Sequence, residues 1–320
     1  LFPADKRPNY VETMAVVTVT VLLGLLTLVV PLSFLAILLL PLPMVYLIVK
    51  RDLNQGLLAL VLVAVFVFLA VGNVSLILLL LLHIGPPAVV IGLLIKNKVS
   101  VGKSVYVLFF WALVVAGINL SYLTASGVAG FDNATGEINA VVDQMSERYL
   151  ESDTTNDSER QQLMHLTEQI ARQVWLFLPG MVIVWTYTAT LGTFFIARRL
   201  LGGLGYAMPG GSPFSRWCLP WYSIWLVITG LALTLAGEEF SIAWTGVLGK
   251  NILFVSAFIF FVLGISVMVY LFQVWKMARI VKIIIAVIIV MYLPFIILAL
   301  GVVDPVANVR RLSGDGSEGK

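Results

Sequence analysis

Cysteine, histidine and charge are what this 320-residue chain has least of, and each scarcity removes a class of function. The lone Cys218 cannot build a disulfide framework or a cysteine-rich metal site. The only two histidines, His83 and His165, stand too far apart for HExxH or a zinc-finger spacing. A net charge of +3, with the basic residues scattered between apolar runs, offers no patch for nucleic acid. Charged residues make up 12% of the chain and hydrophobic ones 60%, with a mean hydropathy of +1.01. Soluble domains run at about half apolar and a quarter charged. A water-soluble globule has nowhere to hide this much apolar surface. The chain reads as an all-α, polytopic helical membrane protein.

A crossing helix needs roughly 20 apolar residues. The first run, about 14–30, ends at Pro31, and the second, about 33–49, contains Pro41 and Pro43 and stops at Lys50-Arg51. Read as one helix they would be on the order of 50 Å long, so two short helices joined near Pro31 are expected. Further runs lie at about 56–72, 76–95, 104–124, 174–197, 219–237, 250–274 and 280–301, which makes nine spans. The first run carries no signal-peptide cleavage pattern and reads as a true span. These runs divide the chain into an N-terminal membrane half (1–124), an external segment (125–173), a C-terminal membrane half (174–303) and a polar tail (304–320).

Charge orients the spans. With an inward N-terminus and nine crossings, the inner side receives 13 of the 20 basic residues but only Asp5, Glu12 and Asp52 among the 17 acids. Basic residues close to the membrane favour the cytoplasmic side, so a multi-pass protein of the bacterial cytoplasmic membrane is expected, with 125–173 outside. Pro294 interrupts the last run, and Arg310-Arg311 would lie outside. Eight crossings with an inward tail are the alternative.

The external segment holds nine acids and three arginines. Ile138, Val142, Met145 and Tyr149 follow helical spacing, as do Leu163, Leu166, Ile170 and Val174. A helical hairpin is predicted, its second helix capped near Asp157 or Ser158 and running into the sixth span past Pro179-Gly180. Such a hairpin is a packing brace or a cover over a ligand.

Few constellations suggest chemistry. Gly102-Lys103-Ser104 ends like a P-loop, but the required earlier glycine is Asn97 and no strand precedes it, so nucleotide binding is rejected. No cofactor or metal pattern is present. His83, at membrane depth beside Gly85-Pro86-Pro87, is either one wall of a cavity at a broken helix or a neutral, hydrogen-bonded residue. Asn119 reads as an interhelical amide, and Glu238-Glu239 as an interfacial helix end or a carboxylate pair. Trp217, Trp221 and Trp225 fall at i, i+4 and i+8, one helix face with Arg216 at headgroup depth. This face is an interfacial belt or the docking surface for a partner subunit.

Taken together, these residues resemble the YybS-like family of bacterial membrane proteins, whose function is unknown. The resemblance rests on Leu178-Pro179, Ala197-Arg198-Arg199-Leu200 with Gly205, and Pro213-Phe-Ser-Arg-Trp-Cys-Leu-Pro220. It continues through Asn251-Ile-Leu and the closing Asp304…Arg310-Arg311. The architecture is also distantly similar to the substrate-binding membrane subunits of energy-coupling-factor vitamin transporters, a likeness of fold alone.

No Ser/His dyad, metal set or carboxylate pair stands at membrane depth, so an intramembrane enzyme is not expected. The scarcity of buried polar groups favours a non-catalytic accessory or scaffold subunit of a larger membrane assembly, with lipid and a protein partner around it. The alternative is a small-molecule carrier subunit with His83, Asn119 and Glu238 around its cavity.

Overall fold

A computed structural model describes residues 10–29, 38–125, 157–208, 210–275 and 278–310. Ten α-helices lie among these residues: α1 (Tyr10–Val29), α2 (Leu42–Lys50), α3 (Leu53–Val71), α4 (Val74–Lys96), α5 (Val101–Ala125), α6 (Asp157–Gly203), α7 (Ile224–Glu239), α8 (Ala243–Val274), α9 (Arg279–Tyr292) and α10 (Pro294–Ala307). Two 3-10 turns, Phe214–Arg216 and Trp221–Ser223, precede α7, and the described residues include no strand. Large apolar side chains such as Leu69, Phe110 and Phe295 stand exposed along the helices. Water would not tolerate that surface; lipid would.

Among the described residues six helices are long and apolar enough to cross a membrane, and the pair α9–α10 makes a seventh if its two arms are one span. The second run is described from residue 38 and forms α2 after Pro41, and the turn expected near Pro31 lies outside the described residues. The fourth run forms the 23-residue α4. The ninth run is bent by 97° between its two arms. Leu293, which must accommodate Pro294, takes φ −131° and ends α9 before the chain restarts as α10.

Of the expected external hairpin, only the part from Asp157 onward falls among the described residues; the expected first helix and polar turn lie outside them. The second helix continues without a break into the sixth span, as expected, giving the 47-residue α6. Leu166, Ile170 and Val174 on its amphipathic stretch are exposed.

The chain divides into two compact units, residues 1–115 with 185–211, and 116–184 with 212–320. This is not the expected pair of sequential halves, because the C-terminal part of α6 packs with the N-terminal helices. Thr193 Oγ1 donates to the Leu38 carbonyl at 2.9 Å, and the Tyr187 and Phe109 rings meet edge-on at 5.3 Å.

In the first unit α2 is the buried centre, with Met44, Val45, Leu47 and Ile48 all inside against α3 and α4. Gly92 on α4 leaves the room that the Ile48 side chain takes; a methyl there would come within 2.7 Å of Ile48 Cγ2. At the start of α3 the Asp52 carboxylate caps the helix by accepting from Gln55 N–H at 2.9 Å. Gly72 closes that helix at φ 69°, a left-handed turn that glycine adopts freely.

In the second unit α8 is the axis. Gly230 and Gly237 on α7 meet Gly246 and Gly249 on α8, so the two backbones approach as small residues allow in membrane helices. On its other side, Gly264 faces the Ile297 carbonyl of α10 and Gly301 faces the Phe260 carbonyl; a methyl on either would collide with backbone.

Candidate functional site

Three buried polar networks and one cleft concentrate the chemistry of the described residues. In the second unit, Pro179 leaves α6 a weakened ladder around Leu176–Gly180. The Asn251 side chain of α8 enters that gap. Its Oδ1 accepts from Gly180 N–H at 2.6 Å, and its Nδ2 donates to the carbonyls of Leu176 and Val247, both at 2.8 Å. One carboxamide thereby serves the two backbone groups that would bond each other in an unbroken helix.

The second network centres on Arg310, whose side chain is fully buried. Nε and Nη2 grip Asp304 at 3.1 and 2.6 Å, a bidentate pair. Nη1 donates to the Ser215 carbonyl at 2.6 Å and to Ser266 Oγ at 2.9 Å, and Nη2 also donates to the Trp217 carbonyl at 2.5 Å. A guanidinium has five N–H donors, and all five are engaged. Ser266 in turn donates to the Phe214 carbonyl at 2.6 Å. The loop before α7, the body of α8 and the end of α10 are thus pinned at one point.

The third network lies in the first unit. Glu12, in the first turn of α1, accepts from Tyr46 at 2.8 Å, from Lys50, and from Arg51 Nη2 at 2.7 Å. Lys50 also donates to the Tyr46 hydroxyl at 2.8 Å, and Lys96 donates to the Arg51 carbonyl at 2.8 Å. Beside this cluster opens a cleft of about 520 Å³ between α1, α2 and the C-terminal turns of α6. Of the residues that line it only Glu12 and Tyr46 have polar side chains; Val19, Leu42, Val45, Leu200 and Leu201 are typical of the rest. Tyr206 stands close to the cluster, and burial, helped by Tyr46, raises its pKa. It is therefore a neutral hydroxyl at ordinary pH.

The residues singled out in the sequence are placed differently. His83 is half-buried in α4 of the first unit, and that helix runs unbroken through Pro86 and Pro87. Of the two readings of His83, the one that required a broken helix is not met, because a membrane helix can continue through proline where neighbours hold it. Asn119, buried, and Glu238, largely exposed, belong to the second unit. Glu238 lies 3.3 Å from Lys250 on the next helix, an interfacial pair. None of the three lines the cleft.

The tryptophan face also needs correction. Trp217 lies in extended backbone outside any helix, its ring against Phe214 at 5.2 Å and its carbonyl held by Arg310. Pro220 separates it from α7, because the residue before a proline avoids helical backbone. Trp221 and Trp225 alone remain in the helical run, both exposed, and Arg216 is exposed at the end of the 3-10 turn. Sequence reasoning missed Glu12, Tyr46 and Asn251 as network centres; an acid just before the first apolar run was the legible signal for Glu12.

A family model described as predicted membrane protein (DUF2232) matches residues 18–305. No curated protein and no solved structure matches the chain.

Proposed function

The chain belongs to the DUF2232 family of predicted membrane proteins, and from that premise we propose that it is a non-catalytic accessory or scaffold subunit of a larger assembly in the bacterial cytoplasmic membrane. The observation that carries this reading is the saturation of the Arg310 and Asn251 networks. All five Arg310 donors and both ends of the Asn251 carboxamide are engaged within the protein. Groups so occupied hold helices in place and leave little for a substrate. Trp221 and Trp225, by contrast, stand outward where an interfacial partner would meet them.

The YybS-like resemblance agrees with this reading, since that family too consists of bacterial membrane proteins of unknown function. The energy-coupling-factor likeness would favour the carrier alternative. The walls of the cleft are apolar, which suits hydrocarbon rather than a polar solute.

The same observations favour eight crossings. Arg310 is seated on the Pro213–Trp217 loop, which the distribution of basic residues assigns to the cytoplasm. The 97° bend between α9 and α10 lets the ninth run return to the side it left. An inward tail then adds Arg310, Arg311 and Lys320 to the inner basic residues, while Asp304, Asp315 and Glu318 move with them and leave the net charge of each side unchanged.

Affinity purification in mild detergent tests the assignment. A second polypeptide should co-purify at fixed stoichiometry, and Trp221→Ala should weaken its retention severalfold while leaving the melting temperature unchanged. A strictly monomeric protein under those conditions would argue against it.

A further inference from the structure

The cleft in the first unit has no role in a scaffold, and its construction points to a ligand class. From Glu12 to Val19, α1 lines the cleft over seven residues, about 10 Å of helix, and the cleft is open along its side, where Val19 and Leu200 are half exposed. Over that length the walls are methyl and methylene groups from three helices. A polar solute would lose its hydration there and find no replacement partner. A hydrocarbon segment would lose nothing.

The Glu12 end is different in kind. Lys50, Arg51 and Lys96 gather there against Glu12 and Asp52. Lys50 uses two of its three N–H donors on Glu12 and Tyr46, and about a third of its side chain (35%) is exposed. Tyr206 contributes a hydroxyl at the same level. The rim therefore carries excess positive charge beside a groove lined with hydrocarbon. Basic pockets between helices on the cytoplasmic side are suited to anionic headgroups, because the phosphate meets the cations while the chain stays in apolar surroundings.

We propose that the cleft between α1, α2 and the end of α6 binds one anionic phospholipid, an acyl chain against Val19 and Leu200 and the phosphate at Lys50. The leaflet it comes from follows the topology proposed above; the lipid class rests on the cleft alone.

The test uses the full chain, stripped of lipid in mild detergent and titrated with dioleoyl-phosphatidylglycerol or dioleoyl-phosphatidylcholine, bound lipid being read by native mass spectrometry. A basic group near an anionic headgroup contributes about fivefold, so two or more cations should give phosphatidylglycerol a preference of at least about tenfold in a one-to-one adduct. Leu200→Trp fills the slot and should abolish that adduct at an unchanged melting temperature. Lys50→Gln should keep the adduct and lose most of the preference. Because Lys50 also holds Glu12, Lys96→Gln serves as the second rim variant, with a smaller loss of preference expected. Equal retention of the two lipids by the unsubstituted protein, or an adduct indifferent to Leu200→Trp, would overturn the proposal.

Discussion

Arg310 is the residue on which the second unit is pinned, and its burial makes the outcome of mutation one-sided. Removing one partner of a buried pair leaves the other charge uncompensated, which costs about 3–5 kcal/mol. Arg310→Ala and Asp304→Ala should each lower the unfolding midpoint in detergent by several degrees or more. The double variant Asp304→Leu/Arg310→Met should recover part of that loss, because two apolar groups leave no orphaned charge. A double variant as unstable as either single one would contradict the reading of the pair as a mutually dependent clamp. Asn251 makes a second test at this scale. Asn251→Leu strands Gly180 N–H and the Leu176 carbonyl in apolar surroundings, at about 1–3 kcal/mol for each unsatisfied group. Hydrogen exchange at Gly180 should rise in that variant and stay protected in the parent protein. Neither network was visible in the sequence beyond its residue types. Asn251 meets Gly180 from 71 positions away, and Arg310 meets Ser215 from 95 away. Periodicity and short spacing carry no information about such partners.

The elements were more legible than their joints. Long apolar runs became α1, α3, α5, α7 and α8 with bounds shifted by a few residues, since 3.6-residue packing in lipid asks only for length and apolarity. The acid-rich lead into the sixth span was also readable as continuous helix. Proline was where reading failed, in both directions. Pro86-Pro87 stay within α4, whereas Pro220 starts a helix at the turn after it and removes Trp217 from the expected face. Whether a proline kinks or ends a helix depends on what packs against it, and a single sequence does not record that. Close helix contacts give the prediction proper to this scale. Gly264→Ala and Gly301→Ala drive a methyl into a facing carbonyl and should separate α8 from α10, with a clear fall in thermal stability. Gly102→Ala and Gly117→Ala, which meet nothing within 4 Å, should change it little. Similar losses at all four positions would contradict the packing described.

For the whole molecule, membrane class followed from composition, but the number of crossings did not. Nine apolar runs counted by length include one that bends by 97° and one that is described only from residue 38. A reporter appended after Lys320 distinguishes the topologies: a fluorescent protein that folds only in the cytoplasm should light up with eight crossings, and an exported phosphatase should stay inactive. The opposite pair of signals would restore nine. His83 belongs to one unit and Asn119 and Glu238 to the other, and none of the three lines the cleft in the first unit. That leaves the subunit assignment as the central claim, and native mass spectrometry of protein ejected directly from its own membrane tests it most directly. The account predicts a stoichiometric second polypeptide bound to this chain. A chain that emerges alone, or with only a defined polar solute, would contradict it.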